Sequence, residues 1–124
     1  MGYDLLVRAI LEDKTTIDMS TLPEDQKKQF DEAAKDLRDR GFFLDAAKIF
    51  SMTKNKEQLV MLAKYCLKEK NLAVAFFAFD AVKEREGLNA TGEAYLQVPE
   101  VESALKCFEA AGNGMMVQFI RENF

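Results

Sequence analysis

Apolar residues recur along this chain at helical spacing, in stretches parted by short polar or glycine-containing breaks. Leu5, Leu6, Ala9 and Ile10 predict a first helix over Tyr3–Lys14, followed by a connector to Ser20. Thr21, Pro23 and Glu24 then carry the signature of a helix start, with Glu24 three positions after Thr21 as a capping box requires. That helix is expected to run to Arg40, with Phe30, Ala33, Ala34 and Leu37 inward and Gly41 as its C-terminal cap. Phe43, Ala46, Ala47 and Phe50 mark a helix over Phe42–Thr53. Leu59, Leu62, Ala63 and Cys66 mark one over Lys56–Glu69. Ala75, Phe76 and Phe79 mark one from Leu72. Gly87 is expected to part that helix from the next, Leu88–Gln97, and Pro99 to sit in the first turn of a helix reaching Ala111. Gly112-Asn113-Gly114 stops it, and Met115–Phe124 is the last helix.

The apolar pattern repeats. Ala46-x-x-x-Phe50, Ala75-x-x-x-Phe79 and Ala104-x-x-x-Phe108 follow one another at intervals of 29 residues. The same interval aligns Phe30, Leu59, Leu88 and Val117, then Ala34, Ala63 and Gly92, then Leu37, Cys66 and Tyr95. Small residues in a fixed column let two helices approach closely, and the phenylalanine fills the space between hairpins. Short connections between such helices force neighbours into antiparallel pairs, so the expected fold class is all-α, built of about seven helices. One domain is expected over 1–124, with repeats at 27–55, 56–84 and 85–113 between a terminal helix at either end.

Composition narrows the function. The 124 residues are 48% apolar and 31% charged, with ten Phe, six Met and only two Pro, as befits a folded domain. The net charge of −4 gives no basic footprint for nucleic acid. No apolar run reaches the length that crosses a membrane, and the first residues lack the pattern of a secretory signal. The chain has no histidine, the commonest general base and metal ligand. Ser51, Ser103 and Tyr95 therefore lack a base, Glu84/Glu86 and Asp36/Asp39 read as solvated surface, and no phosphate-binding glycine loop occurs. Cys66 and Cys107 fall at apolar positions and read as buried thiols, which points to a reducing, cytoplasmic setting. No catalysis, metal or cofactor is expected.

Leu59-x2-Leu62-Ala63-x2-Cys66 with Ala75-x3-Phe79, and Leu88-x2-Thr91-Gly92-x2-Tyr95 with Ala104-x3-Phe108, resemble the tetratricopeptide repeat, as does Phe30-x2-Ala33-Ala34-x2-Leu37 ahead of them. The period is shorter than that family's and its closing proline is absent. The resemblance implies a right-handed stack of antiparallel hairpins, an α-solenoid, that serves as a scaffold for protein binding. In that family the first helices of the hairpins line the binding groove. Carried to this chain, it implies a partner site with a basic end at Lys35, Arg38, Lys64 and Lys68 and apolar contacts from Val60, Leu67 and Leu96. Such a groove favours an acidic or amphipathic peptide or protein. The family's clamp for a C-terminal carboxylate is missing, since Asp31, Met61, Glu86 and Ala90 stand in its places.

The last helix suggests an alternative. Met115, Met116, Phe119, Ile120 and Phe124 leave it little polar face. It matches the first helix of a fourth copy, and an open apolar end is expected to meet either more of a larger solenoid or a second copy of the chain. The alternative function is thus a structural assembly unit, either a segment of a larger solenoid or a homo-oligomer through this surface.

Overall fold

The computed structural model describes residues 21–124; the helix expected over Tyr3–Lys14 and its connector lie outside them. Among the described residues the chain is all-helical, with seven helices and no strand: α1 (Glu24–Asp39), α2 (Phe43–Met52), α3 (Lys56–Lys68), α4 (Leu72–Ala81), α5 (Arg85–Gln97), α6 (Val101–Ala110) and α7 (Gly114–Asn123). The 29-residue interval governs the helix boundaries themselves. α2, α4 and α6 begin at 43, 72 and 101, and α3, α5 and α7 at 56, 85 and 114.

Turn chemistry produces that regularity. Each first helix closes with a backbone bond reaching back five residues: Phe42 N–H donates to the Leu37 carbonyl, Asn71 to Cys66 and Glu100 to Tyr95, at 2.8, 2.8 and 2.9 Å. The second helices close alike, with Asn55 donating to Phe50, Glu84 to Phe79 and Asn113 to Phe108, at 2.8, 2.9 and 2.9 Å. Such a closure normally places a left-handed residue just before the donor. Gly41, Lys54, Lys70, Lys83 and Gly112 take that conformation, with φ between 55° and 89°. Pro99 occupies the same place before Glu100, yet its ring holds φ negative.

Three expectations about boundaries are corrected. Thr21 does not cap α1, since Pro23 is the N-cap and no side chain bonds to the first turn. Gly87 lies within α5 and is buried; the Phe79 ring occupies the space a Cβ would need, so close approach rather than chain breaking explains the glycine. Pro99 precedes α6 instead of opening it, because Glu100 supplies the cap and the helix begins at Val101.

The chain divides into two compact units, at a boundary between Leu59 and Val60. The first contains α1, α2 and the opening turn of α3; Phe30, Ala34, Ala46, Ile49 and Phe50 are among its buried apolar residues, and Thr53 Oγ1 donates to the Asp31 carboxylate. In the second, Ala75, Phe79, Ala104 and Phe108 are fully buried, or nearly so. Each such phenylalanine stabilises the fold by about 1.5–3 kcal/mol relative to exposure. Ala104, Phe108 and Ile120 form a cluster flanked by Tyr95, Leu96, Val101, Leu105, Met116 and Val117. Two polar links tie α5 to the turn between α6 and α7: Arg85 Nε donates to the Ala111 carbonyl (2.9 Å), and Asn113 Nδ2 donates to Asn89 Oδ1 (3.0 Å).

Candidate functional site

The partner-binding residues expected from the sequence fall in both units. Lys35 and Arg38 belong to the first, and both are engaged there. Lys35 pairs with Glu32 at 3.4 Å, while the Arg38 guanidinium donates to Asp39 at 3.2 Å and to Gln58 at 2.8 Å. Arg38 thus ties α1 to the opening turn of α3. Val60, Lys64, Leu67, Lys68 and Leu96 belong to the second unit. Val60 and Leu67 are half-buried, and Leu96 packs against the Ala104–Phe108–Ile120 cluster. Lys64 and Lys68 are exposed, and neither has an ion pair among the described residues.

The exposed apolar residues of the first helices lie elsewhere. Met61, Lys64, Tyr65 and Lys68 stand at i, i+3, i+4 and i+7 on α3, which puts them on one helical face. Met61 is 54% exposed and Tyr65 49%. The buried residues of α3 in this unit, Leu62, Ala63 and Cys66, occupy the opposite side. The 29-residue interval carries Met61 to Ala90 on α5 and on to Phe119 on α7, which is 47% exposed. The neighbouring column holds Glu86 and Met115, the latter 84% exposed. Of this column, Met61 and Phe119 are exposed and Ala90 is half-buried. The sequence alone offered the signal: residues one position off the buried stripe of an amphipathic helix turn away from it by about 100°.

The assembly surface expected on the last helix is only part of a surface. Ile120 is 2% exposed and belongs to the core, and Met116 is half-buried against the same cluster, because these two with Val117 form the inward stripe of α7. Met115, Phe119 and Phe124 are exposed, with the Phe119 and Phe124 rings in edge-on contact at 6.4 Å. The position equivalent to Ala63 and Gly92 is Arg121, which pairs with Glu109 at 3.4 Å.

Both cysteines are buried, and burial pushes their thiols up, Cys66 to about 11 and Cys107, with the Asp80 charge adding to the effect, to about 12. A thiol held protonated is a poor nucleophile. Among the described residues no group of three His, Cys, Asp or Glu could hold a metal ion, and no helix is long and apolar enough to cross a membrane. Compared with known proteins, the chain matches no family model, no curated protein and no solved structure.

Proposed function

We propose that this chain is a non-catalytic, cytoplasmic protein-binding module that docks a polypeptide on the first-helix face of its second unit. The observation that carries this reading is the exposure of Met61 and Phe119 in one repeat column, with exposed Tyr65 one turn after Met61 and exposed Met115 one turn before Phe119. Apolar side chains gathered on one face of successive helices are the usual anchor of a protein interface. Methionine suits such a role because its flexible thioether adapts to a partner's shape. The tetratricopeptide-like stacking of the hairpins is part of the same proposal, supported by the 29-residue spacing of the helices.

The test is a comparison between surface variants that leave the core untouched. Met61→Asp with Phe119→Asp is expected to abolish capture of partner proteins, while Val98→Asp, exposed but in the turn after α5, retains it. Circular dichroism establishes that each variant is folded. Equal capture by the two variants would discard the face.

The apolar end of α7 favours a second reading, assembly of copies through Met115, Phe119 and Phe124. Light scattering over a concentration series decides it. A mass that rises with concentration and is restored to that of a monomer by Phe119→Glu supports assembly, and a monomer throughout removes it.

A further inference from the structure

We infer that α5 is a conditional helix: it stays folded only while the rings of Phe79 and Phe108 are both seated against it, and it thereby couples α4 to α6. The first ground is composition. Gly87, Asn89, Thr91 and Gly92 all fall within α5, and each is a weak helix former, the glycines most of all. The 29-residue interval places Gln58, Val60, Leu62 and Ala63 at the same four positions of α3, of which Val60 alone is a weak former. Thr91 adds a competing bond. Its hydroxyl donates to the Gly87 carbonyl at 2.8 Å, a back-bond that slightly weakens a helix. A helix of 13 residues with this composition does not stand alone in water.

What holds α5 is tertiary. The Phe79 ring of α4 occupies the space a Cβ on Gly87 would need, and the Phe108 ring of α6 lies where a Cβ on Gly92 would meet Cζ at 2.8 Å. Gly87 and Gly92 are five residues apart, which turns them about 140° from one another around the helix. The rings therefore reach α5 from two sides. Phe79 is 1% exposed and Phe108 fully buried, and no ring contact joins the two among the described residues. Arg85 and Asn89 add hydrogen bonds to the α6–α7 turn. Withdrawal of one ring removes part of the support that offsets the composition, and the notch that receives the other ring loosens with the helix. Two groups that order the same segment are linked through it without touching.

Native-state amide exchange and urea unfolding of the full chain test this. Phe79→Leu is expected to speed exchange along α5 by at least about tenfold, at Glu93 and Ala94 near the Phe108 notch as well as at Leu88 beside its own. Phe108→Leu is expected to do the same in the other direction. Phe50→Leu alters the repeat counterpart in the first unit, also fully buried; it is expected to leave α5 exchange within about twofold of the parent. In urea, Phe79→Leu with Phe108→Leu is expected to raise the unfolding equilibrium constant at least about fivefold less than the product of the single effects. The first substitution has already loosened what the second removes. Where circular dichroism shows a leucine variant to be unfolded, Phe79→Met or Phe108→Met takes its place, since methionine adapts to the vacated space. Acceleration confined to the side of the altered ring, or single effects that multiply within about twofold, overturns the inference. So does equal acceleration of α5 by Phe50→Leu, because the opening would then be global.

Discussion

Gly92 on α5 lies against the ring of Phe108 on α6, so closely that a Cβ on Gly92 would stand 2.8 Å from Phe108 Cζ. Phe108 is fully buried and has nowhere to retreat. Overpacking of this kind costs about 1–3 kcal/mol, against about 1 kcal/mol that alanine gains over glycine within a helix. Gly92→Ala is expected to lower stability by up to about 2 kcal/mol. Gly114 is also helical, but nothing lies within 4 Å of the Cβ it lacks. Gly114→Ala is expected to raise stability, by up to about 1 kcal/mol. Urea unfolding of the two variants is the check, and equal shifts of the same sign would refute the close approach.

Left-handed residues close five of the helices, and at Lys54, Lys70 and Lys83 a side chain pays a steric penalty that Gly41 and Gly112 avoid. Lys54→Gly, Lys70→Gly and Lys83→Gly are each expected to stabilise by about 0.5–1 kcal/mol, after allowing for glycine's greater freedom in the unfolded chain. Gly41→Ala is expected to lose about 1 kcal/mol although nothing crowds its Cβ position. Thermal melts of the single variants separate these directions.

Asn113 caps α7 by accepting from Met116 N–H at 3.2 Å while its amide donates to Asn89. Asn55 caps α3 in the same way through Gln58 N–H, also at 3.2 Å. Glu84 stands in the column between them and makes no such bond. Asn113→Ala is expected to destabilise by about 1–2 kcal/mol, and Glu84→Asn to stabilise by about 0.5–1 kcal/mol. A Glu84→Asn protein that melts below the parent would contradict the cap assignment.

The cysteines set an alkaline limit. Their folded pKa values, about 11 and about 12, lie above the ordinary thiol value. Folding therefore favours the protonated thiols. That contribution is complete below about pH 8.5 and is lost progressively as pH rises through the two folded values, because the unfolded chain gives up the protons first. Stability measured between pH 8 and 11 is expected to fall more steeply for the parent than for Cys66→Ala with Cys107→Ala. Parallel curves would show that the thiols are not the groups responsible.

The helices were largely legible from residue types because their boundaries are local events. Apolar residues at 3.6-residue spacing set each helix, and glycine or lysine turns ended most of them within a residue or two of the expected place. Gly87 and Pro99 misled for the same reason. As isolated residues both signal a break or a start, whereas here Gly87 makes room for a ring from α4 and Pro99 fills a turn position usually held by a left-handed residue. The candidate site was less legible. A column of similar residues does not reveal how much of it faces solvent: Val60, Leu67 and Leu96, expected as groove contacts, are each half-buried, and Leu96 packs against the Ala104–Phe108–Ile120 cluster.

By itself the sequence determined an all-helical chain with a 29-residue repeat, because spacing along the backbone is a property of the chain alone. It also set the Ala and Phe columns that form the core, since apolar residues at a fixed helical phase have to be buried together. Only the tertiary structure decided which surface remains. It took Ile120 and Leu96 into a cluster, engaged Arg38 with Asp39 and Gln58, and left Met61 and Phe119 in solvent. Exposure depends on what a neighbouring element covers, and that is fixed by residues distant in sequence.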